Sequence, residues 1–260
     1  MMLDPTHPTP ADDIRAALDS LRAQDLPTHG GRTLSYVYDS GIASADAIGR
    51  EALAEFAATN GLDPTAFPSL ATLESDLVAL ARDLLDGPSS TVGVATSGGT
   101  ESLILAVLAA REGAPHIDRP TVVVPTTVHA AVLKAGHLLG VEVVTVPVDP
   151  VTCRADPTAI AAAVDERTVL VIASAPSYAH GVIDPVEEIA GVAAERGIRC
   201  HVDACIGGWV LPFLEGPRSW TFAVEGVTSI SVDLHKYAYT PKGISLLLHR
   251  SSALRRGHFF

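Results

Sequence analysis

Lysine is scarce in this 260-residue chain. Only Lys134, Lys236 and Lys242 occur among 18 basic residues, so arginine supplies nearly all the positive charge. Two of the three fall within one eleven-residue stretch, Asp233-Leu234-His235-Lys236-Tyr237-Ala238-Tyr239-Thr240-Pro241-Lys242-Gly243. Arginine keeps its proton at physiological pH, whereas a desolvated lysine can become a neutral amine and attack a carbonyl carbon. Lysine placed here points to imine chemistry; chance clustering is the competing account.

Other segments carry complementary chemistry. Ser97-Gly98-Gly99-Thr100 lies between a β-branched run and an Ala/Leu-rich amphipathic run. Small residues at a strand-to-helix junction let backbone amides approach an anion, and the helix dipole favours the charge. The same residues also suit a tight turn with Ser97 or Thr100 as a helix cap. His201-Val202-Asp203-Ala204 ends a hydrophobic run on a carboxylate, which needs a cationic partner such as a protonated pyridine nitrogen, or a salt bridge at a strand end. His129 precedes a helical stretch and offers a flat ring for stacking, although a capping or surface role is the commoner fate of such a histidine.

The patterns that are missing matter as much. There is no GxGxxG or GxxxxGK[ST] loop, no HExxH or Cys/His ligand set and no GxSxG elbow, which argues against nucleotide, metal and serine-hydrolase chemistry. A net charge of -12 without a basic cluster argues against a nucleic-acid partner. Cys153, Cys200 and Cys205 show no paired spacing, as expected in a reducing compartment. The opening residues lack a basic-then-apolar leader, and no apolar run reaches the roughly 20 residues of a membrane span. A cytoplasmic protein without a membrane anchor is the expectation.

These residues need a scaffold that gathers them. Helices are predicted over residues 11–24, 44–58 and 68–85, the last from Leu70, Leu73, Leu77, Leu80 and Leu84. Beyond Gly87-Pro88, strands over 91–95, 121–124, 141–146, 168–173, 198–203 and 227–231 alternate with helices over 100–111, 129–139, 157–164 and 185–196. Such alternation implies βαβ units, hence a parallel sheet covered on both faces, with ligands outside the carboxyl ends of its strands. Ser97 to Thr100, His129, Ser174, Asp203 and Lys236 all follow or end strands, so five segments converge on one edge.

Taken in order, TSGGTES, TTVHAAVLKAG, SAPSYAHGVIDPVEEIA, HVDACIGG and VTSISVDLHKYAYTPKG resemble the sphingosine-1-phosphate lyase branch of the group II pyridoxal-phosphate-dependent decarboxylases, from about Phe67 onwards. The resemblance implies an α/β large domain of fold type I, with residues 1–66 as an N-terminal helical segment and 67–260 binding pyridoxal 5'-phosphate. It implies a Schiff base on Lys236, pairing of Asp203 with the pyridine nitrogen and stacking of His129 on the ring. Gly99 and Thr100 would hold the phosphate near His235 and Ser231 or Asp233, with Ser174 and Cys205 in the same cofactor pocket. Tyr178 and Lys242 would contact substrate or take part in catalysis.

By the same resemblance the protein is a homodimeric carbon–carbon lyase acting on a small-molecule amine. Decarboxylation of an amino acid, or cofactor binding without turnover, are the alternatives. Two departures bear on this. Asp63 in Asn60-Gly61-Leu62-Asp63-Pro64 stands where related lyases often have histidine, which disfavours a phosphate-bearing substrate. The chain also stops where the family continues into a smaller C-terminal domain, so that domain is expected to be missing.

Overall fold

The computed structural model describes residues 7–216 and 218–258. The outer ends of the two expected segments, residues 1–6 and 259–260, lie outside these. The chain divides into two compact units, Met1–Ala45 and Asp46–Phe260. The first contains α1 (Ala11–Arg22), whose stripe of Ile14, Leu18 and Leu21 gives the helix no buried residue. α2 (Ala43–Glu55) spans the division.

The second unit is built on one seven-stranded sheet. α3 (Pro68–Leu84) starts with proline at its first position, where the missing N–H costs nothing. It leads to β1 (Val92–Thr96), and then come α4 (Gly99–Glu112), β2 (Thr121–Pro125), α5 (Ala130–Leu139), β3 (Glu142–Val146) and α6 (Pro157–Ala163). β4 (Thr168–Ser174), α7 (Val186–Arg196), β5 (Arg199–Asp203), β6 (Ser229–Asp233), β7 (Ser245–His249) and the short α8 (Ser252–Arg255) complete it. The spatial order is β1-β7-β6-β5-β4-β2-β3. The sheet is parallel except at β7, which runs antiparallel to both β1 and β6. β7 is absent from the sequence reading; its run Ser245-Leu246-Leu247-Leu248-His249 directly follows the Lys236 segment and slots between β1 and β6.

Alternation along the strands separates two cores. Val171 and Ala173 of β4 face one cluster with Ile160 and Ile189, while Leu170 and Ile172 face the other with Leu103 and Val132. Burying each such Leu or Ile contributes about 1.5–3 kcal/mol. Over β5 to β7 the second face turns polar. His201 and Asp203, then Ser229, Ser231 and Asp233, then Ser245 and His249, with Leu247 between the last two, are all buried on one face of the register. α4 packs over β6 and β7.

Two histidines of this strip carry a cost. His201 bonds Ser229 Oγ (2.9 Å) through Nδ1 and Ser231 Oγ (3.1 Å) through Nε2, and burial pushes its pKa down to about 3. Burial first, then His201 and His258, push His249 down to about 3 as well, and its buried Nε2 has no hydrogen-bond partner among the described residues. Both are therefore neutral in the fold, while the unfolded chain takes up protons near pH 6.5. Their stabilisation is complete above that pH and is lost as pH falls from 6.5 towards 3, by roughly 2 kcal/mol per histidine at pH 5. Urea midpoints should fall between pH 7 and pH 5, and His249→Gln should flatten the dependence; equal slopes in the two chains would refute this origin.

Candidate active site

The carboxyl edge of the sheet opens into a cavity of about 830 Å³ lined from five segments. At the end of β1 the chain turns through residues 97–100 into α4, with Gly98 as its N-cap. Ser97 donates to Glu101 Oε2 from both its amide (2.6 Å) and its hydroxyl (2.7 Å), and Thr96 Oγ1 pairs with Ser102 Oγ at 2.7 Å. These bonds pin the turn, while the first amides of the helix have no intrahelical acceptor and are free for an anion. Gly99 is required by space: a Cβ there would lie 2.7 Å from Cys205 Sγ and 3.0 Å from Asp233 Oδ1.

His129 caps α5. Its Nδ1 accepts from the Ala131 amide (3.1 Å), which leaves the ring proton on Nε2, and the ring lies in the cavity wall. Asp203 ends β5 and accepts the Cys205 amide on Oδ1 at 3.1 Å, the capping bond of a chain leaving a strand. Cys205 is held as a thiol, pushed well above its ordinary range by burial and then by Asp203 and Asp233; its Sγ donates to Ser231 Oγ at 3.4 Å. A thiol so placed is inert as a nucleophile. It packs the turn against the sheet.

Lys236 lies one turn beyond β6, with Nζ 2.8 Å from Asp233 Oδ2. Burial pulls its ammonium down, but the neighbouring carboxylates, Asp233 before Asp203, work against that, and the net shift is upward. The desolvation that the sequence reading relied on is present, yet it does not make the amine neutral in the cofactor-free chain. Lys242, at the mouth, shifts the other way through burial and the neighbouring Lys236, and its Nζ reaches His235 O at 3.4 Å.

Gly99, Thr100, His129, Asp203, Cys205, Asp233, His235, Lys236 and Lys242 thus share one cavity. Ser174, Ser231 and Tyr178 do not line it. The Ser174 amide donates to Asp184 Oδ2 (2.8 Å), and Asp184 Oδ1 takes the Ala155 amide (2.8 Å), so this serine belongs to a buried brace. Burial raises the Asp184 pKa despite these bonds. Ser231 sits beneath Cys205 in the polar strip, and Tyr178 is exposed, edge-on to His129 with centroids 5.4 Å apart. Sequence reasoning missed Glu101, whose spacing of four from Ser97 is the available signal, and Ser245, which carried none.

The segment after Asp203 also needs a close approach. A Cβ on Gly207 would run into the Ala175 carbonyl oxygen and lie 2.9 Å from Pro176 Cδ. Gly207→Ala should therefore cost about 1–3 kcal/mol, read from denaturation midpoints, because the obstacle is backbone rather than a yielding side chain.

The donor set suits a phosphorylated pyridine aldehyde: unpaired helix amides for the phosphate, a carboxylate for a ring N–H, an imidazole face and the Lys236 amine, with Lys242 at the mouth. The comparisons agree. The pyridoxal-dependent decarboxylase conserved domain matches residues 28–258. The sphingosine-1-phosphate lyase of Dictyostelium discoideum is 43% identical over 215 residues, covering 81% of this chain and 41% of that protein. A probable L-tyrosine/L-aspartate decarboxylase of Methanocella arvoryzae is 38% identical over 247 residues, covering 94% of the chain and 64% of that protein. The structure of Burkholderia pseudomallei sphingosine-1-phosphate lyase superimposes with a TM-score of 0.93 at 35% identity, over 100% of this chain and 63% of that one. The chain spans less than half the length of the Dictyostelium, rat and yeast lyases it matches. From fold, site and sequence together, the chain belongs to the pyridoxal-dependent decarboxylase family.

Proposed function

We propose that the chain is the cofactor-binding large domain of a pyridoxal-phosphate-dependent carbon–carbon lyase of the sphingosine-1-phosphate lyase type, acting on a small amine. The observation that carries this reading is the gathering of Lys236, Asp203, His129 and the 97–100 turn around one cavity, within a chain 43% identical to such a lyase. When bound, the cofactor supplies an electron sink for the pair released as a bond to the substrate's Cα breaks.

The chain's own residues do the rest. The amides of Gly99 and Thr100 hold the phosphate, and His235 lies beside them in the cavity wall. Asp203 would keep a proton on the ring nitrogen, and His129 would offer its ring for stacking. Lys236 would be the covalent attachment point and a proton carrier at Nζ. Lys242, at the mouth, meets the incoming substrate. In the cleavage of a β-hydroxyamine a base would take the hydroxyl proton, the O–H pair would form the Cβ carbonyl as the Cα–Cβ bond breaks, that bond's pair would pass from Cα into the electron sink, and a proton returned to Cα would complete the amine product. Orientation of that bond selects it over the others on Cα.

Decarboxylation is the second reading, favoured by the 38% identity to the Methanocella decarboxylase. Asp63 is relevant here. It is exposed and its Oδ1 accepts the Thr65 amide at 2.8 Å; if the histidine at this place in related lyases meets a substrate phosphate, this carboxylate would repel one. Assays with β-hydroxyamines, with and without a phosphate, beside a panel of amino acids decide the matter. Aldehyde release supports the lyase, and carbon dioxide release from an amino acid with intact β-hydroxyamines overturns it. Full cofactor occupancy with no product from either set would identify a binding module without turnover. A cytoplasmic homodimer belongs to the same proposal. The homodimer is supported by the family resemblance and the location by the sequence reading alone; among the described residues no helix is long and apolar enough to cross a membrane.

A further inference from the structure

Asp233 is the most constrained carboxylate at the cavity floor. It is 2% exposed, ends β6, and uses its two oxygens differently. Oδ1 accepts the hydroxyl of Ser245 at 2.6 Å, a residue directly opposite it in the antiparallel β6–β7 register. Oδ2 faces Lys236 Nζ at 2.8 Å and His235 Nε2 at 3.6 Å. The His235 ring is itself fixed, because its Nδ1–H donates to Ile244 O at 2.8 Å. The carboxylate is held on two sides: Ser245 binds one oxygen from β7, and Gly99 lies so close to both that a Cβ there would crowd them.

We infer that Asp233 is a positioning residue for Lys236, docking its ammonium at the cavity floor and holding the proton on Nζ until the cofactor enters. The inference rests on Lys236 being the reactive amine of the proposed function, and it adds what sets that amine's readiness. An ammonium has no lone pair for a carbonyl carbon, so Nζ must give up one proton before it can attack. Asp233 Oδ2, within hydrogen-bond reach, keeps that proton on Nζ for as long as the pair is intact. The other groups around Nζ are Asp203 at the end of β5, which favours the charged form, Cys205 beside it, which is a neutral thiol and contributes no charge, and Lys242 in the following loop, which repels a second ammonium. Glu101 and His129 stand farther round the wall. Of these, Asp233 alone contacts Nζ as an ion pair among the described residues.

The test needs no turnover. The cofactor-free full chain is pulse-labelled with acetic anhydride across pH 7 to 12, and acetylation of Lys236 is read by peptide mass spectrometry, with Lys134 as the internal reference and N-acetyl-lysine amide as the free standard. The expected result is a Lys236 midpoint above that of the free standard, which falls in Asp233→Asn by at least about one pH unit, the scale of an opposite charge at this range. Lys134 should not move. The inference is overturned if Lys236 in the unaltered chain titrates at or below the standard, or if the Asp233→Asn profile superimposes on it. Should Asp233→Asn fail to fold, the comparison of the unaltered chain with the standard decides alone. Because no cofactor is present, failure here is distinguishable from failure of the proposed function, which shows as absent absorbance change on adding pyridoxal phosphate.

Discussion

Lys236→Ala is expected to remove every borohydride-trappable adduct between the chain and pyridoxal phosphate and to lower turnover by at least about 10³-fold. The loss has two parts. The covalent anchor disappears, and so does the proton carrier, itself worth on the order of 10² to 10⁴ in rate. Neither remaining lysine replaces it: Lys242 sits exposed at the mouth and Lys134 lies on the surface of α5. The substitution also has a structural consequence. Asp233, buried to 2% exposure, would lose its cationic partner. Stranding a buried charge costs about 3–5 kcal/mol when the pair is fully enclosed, and about 2 kcal/mol is expected here because the Lys236 side chain retains 23% exposure. The double variant Lys236→Ala with Asp233→Asn should recover the stability without recovering the adduct. That pairing separates lost chemistry from lost folding. An adduct of unchanged yield in the single variant would remove Lys236 from the centre of the site.

The edge of the sheet was readable because each chemical residue sits at a strand end, and strand ends are marked by apolar runs that stop. Residues 97–100, His129, Asp203 and Lys236 needed only that rule to converge. Strand direction is another matter, since period-two alternation is the same for either sense. The antiparallel insertion of β7 between β1 and β6 was therefore not legible, although its apolar run Leu246-Leu247-Leu248 was there to be read, and the meaning of Ser245 comes wholly from lying opposite Asp233. Ser174 shows the converse limit. It ends β4 at the correct edge, yet its amide turns to Asp184 rather than to the cavity, because the brace between β4 and residue 155 takes it. The polar strip beneath α4 was legible as single residues only. His201, Ser229 and Ser231 become a network through inter-strand register, which composition does not encode.

Asp203→Asn should leave cofactor affinity within a few-fold of its original value while lowering turnover on the order of 10² to 10³-fold, the scale of removing one preorganised charge from a developing one. Asparagine keeps an oxygen for the Cys205 amide, so the turn after β5 and the packing of Cys205 against Gly99 survive. What it cannot do is hold a proton on a ring nitrogen, because it carries no charge to stabilise the cation. Binding and turnover therefore part company, unlike the outcome of a general packing defect, which would depress both. The substitution also removes one of the two carboxylates that favour the Lys236 ammonium, so Lys236 should acetylate at slightly lower pH in this variant. The shift should be smaller than that of Asp233→Asn, since only Asp233 touches Nζ among the described residues. Absorbance titration with pyridoxal phosphate gives the affinity and steady-state assays the turnover; a parallel fall in both would reduce Asp203 to a structural cap of β5.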